Sequence, residues 1–164
     1  MVNNSEGRQE MIAAAYDRHA DMMYRLALSH LQNSEDAADA VQDVFVKFIT
    51  STPDFNTPEH EKAWFIRATV NRCYDMLRRR NIRDYIDLDE ISEVIPADEE
   101  ASDDKAAVMK LIAKIPEKNR AAVVLHYLEG YSVEKTAKAL GIGVSAVKMR
   151  LARAREALRG VLGE

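Results

Sequence analysis

Hydrophobic residues recur at helical spacing along most of the chain, and no run of residues alternates as a strand does. The periodicity predicts an amphipathic helix up to about Leu31, a second helix capped by Ser34, and a third helix from about Glu59 to Arg80. A segment with two prolines, Thr50 to His60, is predicted to be a loop between the second and third helices. The pattern therefore predicts an all-α fold.

The stretch from Gly130 to Leu158 has the pattern of a helix-turn-helix. Ser132 can cap a short helix, Gly141 can end that helix in the left-handed conformation, and Ser145 can cap a second helix. The second helix has an apolar stripe on one face, formed by Val147, Leu151, Ala154 and Leu158. Because its other faces are basic, it can bury one side and lay the other in the major groove of DNA. The alternative is an amphipathic helix with a solvated basic face.

The predicted third helix also has two different faces. One face is apolar and consists of Ile66, Val70, Cys73 and Leu77. Aromatic and cationic side chains on the other side suit single-stranded nucleic acid, because bases stack on rings and phosphates pair with arginines. The candidate residues are Trp64, Arg67, Asn71, Tyr74, Asp75, Arg78 and Arg79. The alternative is that Trp64 packs in the core and the arginines are only solvated.

The predicted second helix has a buried stripe of Val41, Val44, Phe45 and Phe48. Its polar stripe is acidic and contains Asp36, Asp39, Gln42 and Asp43. Acidic residues in the first turn favour the start of a helix.

Charge is segregated along the chain, although the net charge is only −4. Residues 62–80 hold six basic side chains and one acidic one, and residues 105–164 hold twelve basic and five acidic ones. Between them, residues 81–104 hold ten acidic side chains and one basic one. We interpret this acidic segment as a linker that is at least partly flexible, with a solvated acidic helix as the alternative. It divides the chain into helical domains at 1–80 and 105–164, each with a basic patch.

Several classes of protein lack support in the sequence. No apolar run approaches the roughly 20 residues that span a bilayer, and the N-terminus lacks the apolar core of a signal peptide, so we expect a cytoplasmic protein without membrane insertion. No metal-binding or phosphate-binding motif is present, which favours a protein without cofactor, metal site or catalysis. His19 and Cys73 fall on apolar stripes, where a satisfied core histidine and an inert cysteine are expected.

From about Tyr16 to Leu158 the chain resembles RNA polymerase sigma factors of the extracytoplasmic-function (ECF) group, within the sigma-70 family. The resemblance rests on four blocks in order: DAADAVQDVFVKF, KAWFIRATVNRCYDMLRRR, IPEKNRAAVVLHYLEGYS after a variable linker, and the helix-turn-helix. It implies a region 2-like helical domain and a region 4-like domain. Asn71 and Asp75 match the Asn and Asp that lie four residues apart in the family's promoter-melting helix.

The resemblance also implies partners and roles. The acidic stripe, Asp36, Asp39, Gln42 and Asp43, would bind the β′ clamp helices of core RNA polymerase, and the β flap would be a further contact. The recognition helix would bind the −35 promoter element in duplex form through Ser145, Ala146, Lys148, Met149, Arg150, Arg153 and Arg155. The third helix would capture the unpaired −10 strand, and the loop from Thr50 to Glu61 would hold a flipped base. An anti-sigma factor, in some relatives anchored in the membrane, would be the inhibitor.

Two departures from the family pattern lie in the helix-turn-helix. The family usually has Glu-Ile-Ala where this chain has Lys135-Thr136-Ala137, and Gly-Thr-Val-Lys-Ser-Arg where this chain has SAVKMR from Ser145. Promoter preference is therefore hard to carry over. Two other functions stay open: a one-component helix-turn-helix regulator with a sensor or dimerisation domain, and a helical adaptor that binds only proteins.

Overall fold

The computed structural model describes residues 4–86 and 103–162, and the regular structure in these ranges is helical throughout. The helices are α1 (Asn4–Leu31), α2 (Ser34–Ser51), α3 (Pro58–Ile86), α4 (Asp103–Ala113), α5 (Glu117–Val123), α6 (Val133–Leu140) and α7 (Val144–Leu162). Helix α5 continues directly into a π-helical turn, Val124–Leu128. The predicted all-α fold is confirmed.

Helices α1, α2 and α3 pack together around a core of large apolar side chains. Phe65 of α3 is fully buried, and its ring centroid lies 5.2 Å from that of Phe45 and 5.0 Å from that of Phe48, both on α2. The cap of α2 is Asn33, whose side chain accepts a hydrogen bond from the backbone N–H of Asp36. The prediction that Ser34 caps this helix was wrong by one residue, because the amide oxygen of Asn33 already satisfies the free N–H.

Helix α3 is longer than the periodicity predicted. It continues to Ile86, so residues 81–86 of the predicted linker are helical. Helix α4 begins at Asp103, near the predicted end of the linker. The interpretation of the linker as partly flexible concerns mainly residues 87–102, which lie outside the described residues.

The second half of the chain contains the helix-turn-helix. Ser132 caps α6 by accepting a hydrogen bond from the backbone N–H of Lys135, and Gly141 ends α6 in the left-handed region at φ +70°, both as predicted. Ser145 does not cap α7. That helix begins at Val144, and the Gly143 carbonyl already accepts from the N–H of Val147, so Ser145 lies within the first turn.

The two halves of the described structure pack against each other. Helix α1 contacts α4 and α5, and α3 contacts α6. The buried apolar cluster is continuous across both halves: it contains Val44 and Phe65 from the first half and Val124 and Val147 from the second. The position of α6 against α3 brings the helix-turn-helix close to the candidate strand-binding face.

Candidate DNA and polymerase interfaces

Helix α7 presents a basic outer face opposite a buried apolar stripe. Val147, Leu151 and Ala154 are buried against the rest of the second half. The outer face contains the exposed side chains Ser145, Lys148, Met149, Arg153 and Arg155. The remaining two predicted residues of this set, Ala146 and Arg150, are half-buried. The seven residues thus lie around one helix that packs on α5 and leaves most of its charged side to solvent.

Two arginines of this helix have partners within the protein. The Arg155 guanidinium donates to the hydroxyl oxygen of Tyr127 at 3.1 Å, and both side chains are exposed. Arg150 donates to the backbone carbonyl of Lys118 at 3.4 Å. These contacts position the flanking arginines, while among the described residues Lys148 and Arg153 have no hydrogen-bond or ion-pair partner.

The seven candidate residues on α3 differ in exposure. Arg67, Asn71, Asp75, Arg78 and Arg79 are exposed, whereas Trp64 and Tyr74 are half-buried. The opposite face is buried at Ile66, Val70 and Cys73 and half-buried at Leu77. The structure therefore divides α3 into the two faces that the helical spacing indicated.

Trp64 belongs partly to the core. Its ring centroid lies 5.0 Å from that of Phe65, 6.0 Å from that of Phe48 and 6.1 Å from that of Phe55. The indole therefore contributes to an aromatic cluster at the end of α2 and the start of α3, and part of its surface remains accessible.

Arg67 is engaged by the helix-turn-helix. Its guanidinium donates to the carbonyl of Lys138 at 2.8 Å and to that of Ala139 at 3.1 Å, at the C-terminal end of α6. Gly141 follows immediately, and a Cβ atom there would lie 3.0 Å from the guanidinium carbon. The missing side chain at Gly141 therefore allows Arg67 to approach the helix end closely.

The C-terminal part of the candidate stripe on α3, from Tyr74 to Arg78, contacts nearby side chains. Asp75 forms an ion pair with Arg78 at 2.7 Å, one helical turn away. The ring of Tyr74 meets the ring of His30 edge-on at 5.4 Å, and burial raises the pKa of Tyr74. Cys73, on the buried face, has its pKa raised to about 12 by burial, which fits the expected inert thiol.

The acidic stripe of α2 is less uniform than the sequence suggested. Asp36 pairs with Arg80, and Asp43 pairs with Arg72 at 2.8 Å, so both carboxylates have partners on α3. Asp39 and Gln42 are exposed, and their side chains make no hydrogen bond or ion pair within residues 4–86 and 103–162. Val46, one turn beyond Gln42, is 58% exposed and extends this surface with an apolar side chain that the charge pattern did not indicate.

Comparison with known proteins assigns the chain to a family. The family model "Sigma-70 region 2" matches residues 15–82, and "Sigma-70, region 4" matches residues 105–158. The chain is 36% identical over 149 residues to the ECF RNA polymerase sigma factor SigM of Mycobacterium tuberculosis, an alignment that covers 90% of this chain and 75% of SigM. The chain belongs to the ECF RNA polymerase sigma factors. The resemblance inferred from the four sequence blocks is thereby confirmed.

Two solved structures have the same fold. The sigma factor RpoE of Bartonella quintana, in complex with the anti-sigma factor NepR, matches with a TM-score of 0.70 and 24% identity, covering 96% of this chain and 97% of RpoE. CnrH, in complex with the cytosolic domain of CnrY, matches with a TM-score of 0.68 and 28% identity, covering 94% of this chain and 89% of CnrH. Since a region 2 and a region 4 occur together, we set aside the one-component regulator and the protein-binding adaptor.

The sigma factor has contacts between its two halves that the sequence did not reveal. Arg25 of α1 forms a two-pronged ion pair with Glu129, with N–O distances of 2.6 and 2.8 Å, and the hydrogen bond to Glu129 is the largest cause of the raised pKa of Arg25. Arg120 of α5 donates to the carbonyl of His30 at 3.1 Å. These partners lie far apart in sequence, so no local motif could have indicated them.

Tyr131 adds a fourth contact between the halves. Its buried ring lies under two cations: Nζ of Lys135, from α6, is 4.3 Å from the ring centroid, and Nζ of Lys62, from α3, is 5.2 Å from it. Cations within about 6 Å of an aromatic face are attracted by the ring.

Two buried histidines lie in the first half. His19 is buried as predicted, stacks on Phe65 and has Nε2 at 3.5 Å from a Glu61 carboxylate oxygen, but neither ring nitrogen makes a hydrogen bond within the described residues. The expectation of a satisfied histidine was therefore wrong in that respect. Burial lowers the pKa of His19, and burial together with Arg120 lowers the pKa of His30 to about 3.

None of the described helices is both long and apolar enough to cross a membrane.

Proposed function

We propose that this sigma factor binds core RNA polymerase and directs initiation at promoters whose −35 element is bound by α7 and whose −10 strand is captured by α3. The observation that carries the proposal is the exposed basic face of α7, at the end of a capped and glycine-terminated helix-turn-helix. A helix of this kind enters the major groove with its N-terminal residues at the base edges. Lys148 and Met149 occupy those positions, and Arg153 and Arg155 follow one and two turns later.

Capture of the −10 strand is proposed for the exposed stripe of α3. Asn71 lies at its centre and is free to meet a base, with the accessible part of Trp64 on one side and Arg78 and Arg79 on the other. Base stacking on an aromatic ring contributes roughly 1–3 kcal/mol, and arginines add phosphate contacts. The segment from Thr50 to Glu61, whose ends belong to α2 and α3 and whose middle is the loop at residues 52–57, is proposed to hold a flipped base, as the family resemblance implies.

Polymerase binding is proposed for the exposed side of α2. Asp39 and Gln42 have no internal partner among the described residues, so an external partner can use them without breaking a contact in the sigma factor. Val46 supplies an apolar side chain beside them. Because Asp43 already pairs with Arg72, Asp39 is the better position for a test of this surface.

The experiment for the whole proposal is in vitro transcription with purified core polymerase and a pool of genomic promoter fragments. Promoter-specific transcripts that depend on the added sigma factor support the proposal, and their absence contradicts it. In the same assay Asp39→Lys is expected to weaken core binding about 10-fold through like-charge repulsion across the interface. Asp17→Lys, an exposed acidic position on α1, is the matched control and should bind as the unmodified protein does.

An anti-sigma factor is a further proposed partner. Its support is the 28% identity and shared fold with CnrH, which was solved with the cytosolic domain of CnrY. Co-purification of this chain with the product of a neighbouring gene, followed by inhibition of the transcription assay by that product, tests the proposal.

A further inference from the structure

The π-helical turn between α5 and α6 presents a tyrosine whose ring is both exposed and supported. Tyr127 lies within this turn, and 54% of its side chain is accessible to solvent. The ring of His126 meets the Tyr127 ring edge-on, with 4.8 Å between the centroids. His126 is itself held by the backbone, because its Nδ1 lies 2.7 Å from the carbonyl oxygen of Tyr131. The phenol is therefore oriented by its neighbours although it is not buried.

The hydroxyl group of Tyr127 has an unused hydrogen. Its oxygen accepts a hydrogen bond from the Arg155 guanidinium at 3.1 Å. A tyrosine hydroxyl also donates one hydrogen, and a guanidinium has five N–H donors and no acceptor. Within residues 4–86 and 103–162, the Tyr127 hydroxyl has no acceptor for its hydrogen, and Arg155 makes no ion pair. Two adjacent groups thus offer donors to the same region of solvent, where a phosphate could accept from both.

The pair lies beside the face of α7 that is proposed to enter the major groove. Arg155 follows Lys148 by seven residues, which places the two side chains within about 20° of each other around the helix and about 10 Å apart along it. In the three-helix DNA-binding domains of homeodomains, the loop between the first two helices and the later part of the third contact the DNA backbone. Tyr127 lies between α5 and α6, and Arg155 lies in the later part of α7. The pair occupies the two positions where backbone contacts are made.

We propose that Tyr127 and Arg155 together bind one backbone phosphate at the edge of the −35 duplex. The Tyr127 hydroxyl donates to a non-bridging phosphate oxygen, and the remaining N–H groups of Arg155 donate to the same phosphate. Donation from the guanidinium polarises the hydroxyl and strengthens its own donation. The acidic residue that follows the turn, Glu129, is engaged by Arg25 of α1. This inference rests on the proposed binding of the −35 duplex by α7.

The two residues of the pair differ in charge, so they differ in function. Phosphates are the same at every base pair, and the site therefore sets the position of α7 on the duplex and carries no sequence preference. Arg155 releases counterions from DNA when it binds, whereas the neutral hydroxyl of Tyr127 does not. The contribution of Tyr127 should therefore be independent of salt concentration, and that of Arg155 should not.

The test uses Tyr127→Phe, which removes the hydroxyl and keeps the ring, in the full chain. The measured quantity is affinity for a short fluorescein-labelled DNA duplex of random sequence at several salt concentrations. We expect Tyr127→Phe to weaken binding about five-fold at every salt concentration, as the loss of one hydrogen bond does. Arg155→Ala should also reduce the slope of log affinity against log salt by about one. The combined variant should lose less than the product of the two losses, because the residues share one phosphate.

Tyr16→Phe is the matched control, because Tyr16 is 51% exposed and lies on α1. It should bind the duplex as the unmodified chain does, and urea unfolding should show equal stability for both tyrosine variants. Equal duplex affinity for Tyr127→Phe and the unmodified chain overturns the inference, and so do losses that multiply in the combined variant. A loss of core polymerase binding in Tyr127→Phe without a loss of duplex binding also overturns it.

The outcomes separate this inference from the proposed function. If Arg155→Ala weakens duplex binding and Tyr127→Phe does not, the proposed role of α7 stands and the shared phosphate site is overturned. If the unmodified chain neither binds the duplex nor supports promoter-specific transcription with core polymerase, the proposed function is overturned and the phosphate site with it. A salt-independent loss in Tyr127→Phe beside a reduced slope in Arg155→Ala, with a loss in the combined variant smaller than their product, supports the site.

Discussion

The two candidate DNA-binding helices are packed differently in the structure. Helix α7 is buried only along Val147, Leu151 and Ala154, and its charged side is open to solvent. Helix α3 has more neighbours: α1 and α2 pack against it, and α6 contacts it at Arg67, while Asn71, Asp75, Arg78 and Arg79 stay exposed. A helix proposed to bind duplex DNA needs only one supporting face, whereas the helix proposed to bind a single strand is packed by helices of both halves. The charged side of α7 is thus open to solvent, whereas one residue of the α3 stripe, Arg67, is held by α6.

Substitution of Trp64 should have the largest effect and tests how far the α3 stripe belongs to the core. Because the half-buried indole packs against three phenylalanines, we expect Trp64→Ala to lower the free energy of unfolding by about 2–3 kcal/mol. Met149→Ala on α7 should stay within about 0.5 kcal/mol, because Met149 is exposed. Urea unfolding of both variants measures the contrast. Equal losses would mean that the two helices are supported alike.

The pH dependence of the free energy of unfolding tests the packing behind α3 at His30, whose ring meets that of Tyr74. The folded pKa of about 3 lies below the unfolded value of about 6.5, so the unfolded state takes up the proton first. Stability is therefore full above pH 6.5 and falls as the pH decreases towards 3. Between pH 7 and pH 5 the loss from this group is about 2 kcal/mol.

The control for this loss is His30→Gln, which cannot titrate in that range. Urea unfolding at pH 7 and pH 5 should show a loss smaller by about 2 kcal/mol in the variant than in the unmodified chain. His19, whose pKa is also lowered by burial, leaves a residual slope in both proteins. An equal loss of unfolding free energy between pH 7 and pH 5 in the variant and in the unmodified chain would contradict the attribution of this loss to His30.

Asn71→Ala tests the strand-binding role without disturbing the core. Asn71 is exposed, so its removal should leave folding and core binding unchanged. We expect strand opening on duplex promoters to fall about 10-fold, which corresponds to about 1.4 kcal/mol. Permanganate reactivity of thymines in the −10 element measures opening, and a template already unpaired there should rescue the variant partly. Normal reactivity on the duplex template would remove this stripe from the mechanism.

The smallest effects are expected on α7 and divide its residues into two kinds. Lys148→Ala should change the relative preference among promoters by about five-fold, because a single base contact corresponds to about 1 kcal/mol, the lower end of the discrimination that a good bidentate pair gives. Arg155→Ala should weaken binding to all promoters by the same factor and reduce the dependence of binding on salt concentration. Binding titrations on several promoters at two salt concentrations compare them. Identical promoter profiles for the two variants would remove the distinction between base and phosphate contacts.

Local patterns in the sequence were sufficient for most of the fold. The apolar stripe of α7, the Ser132 cap and the left-handed Gly141 follow from spacing and turn chemistry, which act within a few residues. The cap of α2 was misplaced by one residue because Asn33 and Ser34 both suit that position. The end of α3 was placed too early because a polar helix of charged residues lacks the apolar period that marks a boundary.

The contacts of the candidate sites were harder to foresee. Exposure of Lys148 and Asn71 followed from helical geometry, but the partners of Asp43, Arg67 and Glu129 come from other helices. A side chain on a polar face is compatible with solvent, DNA or another domain, and only the tertiary arrangement decides among them. The roles assigned to these residues on DNA and polymerase stay predictions.

The π-helical turn at Val124–Leu128 acts as an angular spacer. It follows α5 directly, so Arg120 lies before it and Glu129 immediately after it. One residue corresponds to about 100° of rotation around an α-helix, and a π turn holds one residue more than an α turn does. Removing a single residue from this turn would rotate Glu129 and the helix-turn-helix about the axis of α5, while the hydrogen bond from Arg120 to the His30 carbonyl would be kept. The relative orientation of the two DNA-binding halves thus depends on chain length at this one point, irrespective of which residues fill it.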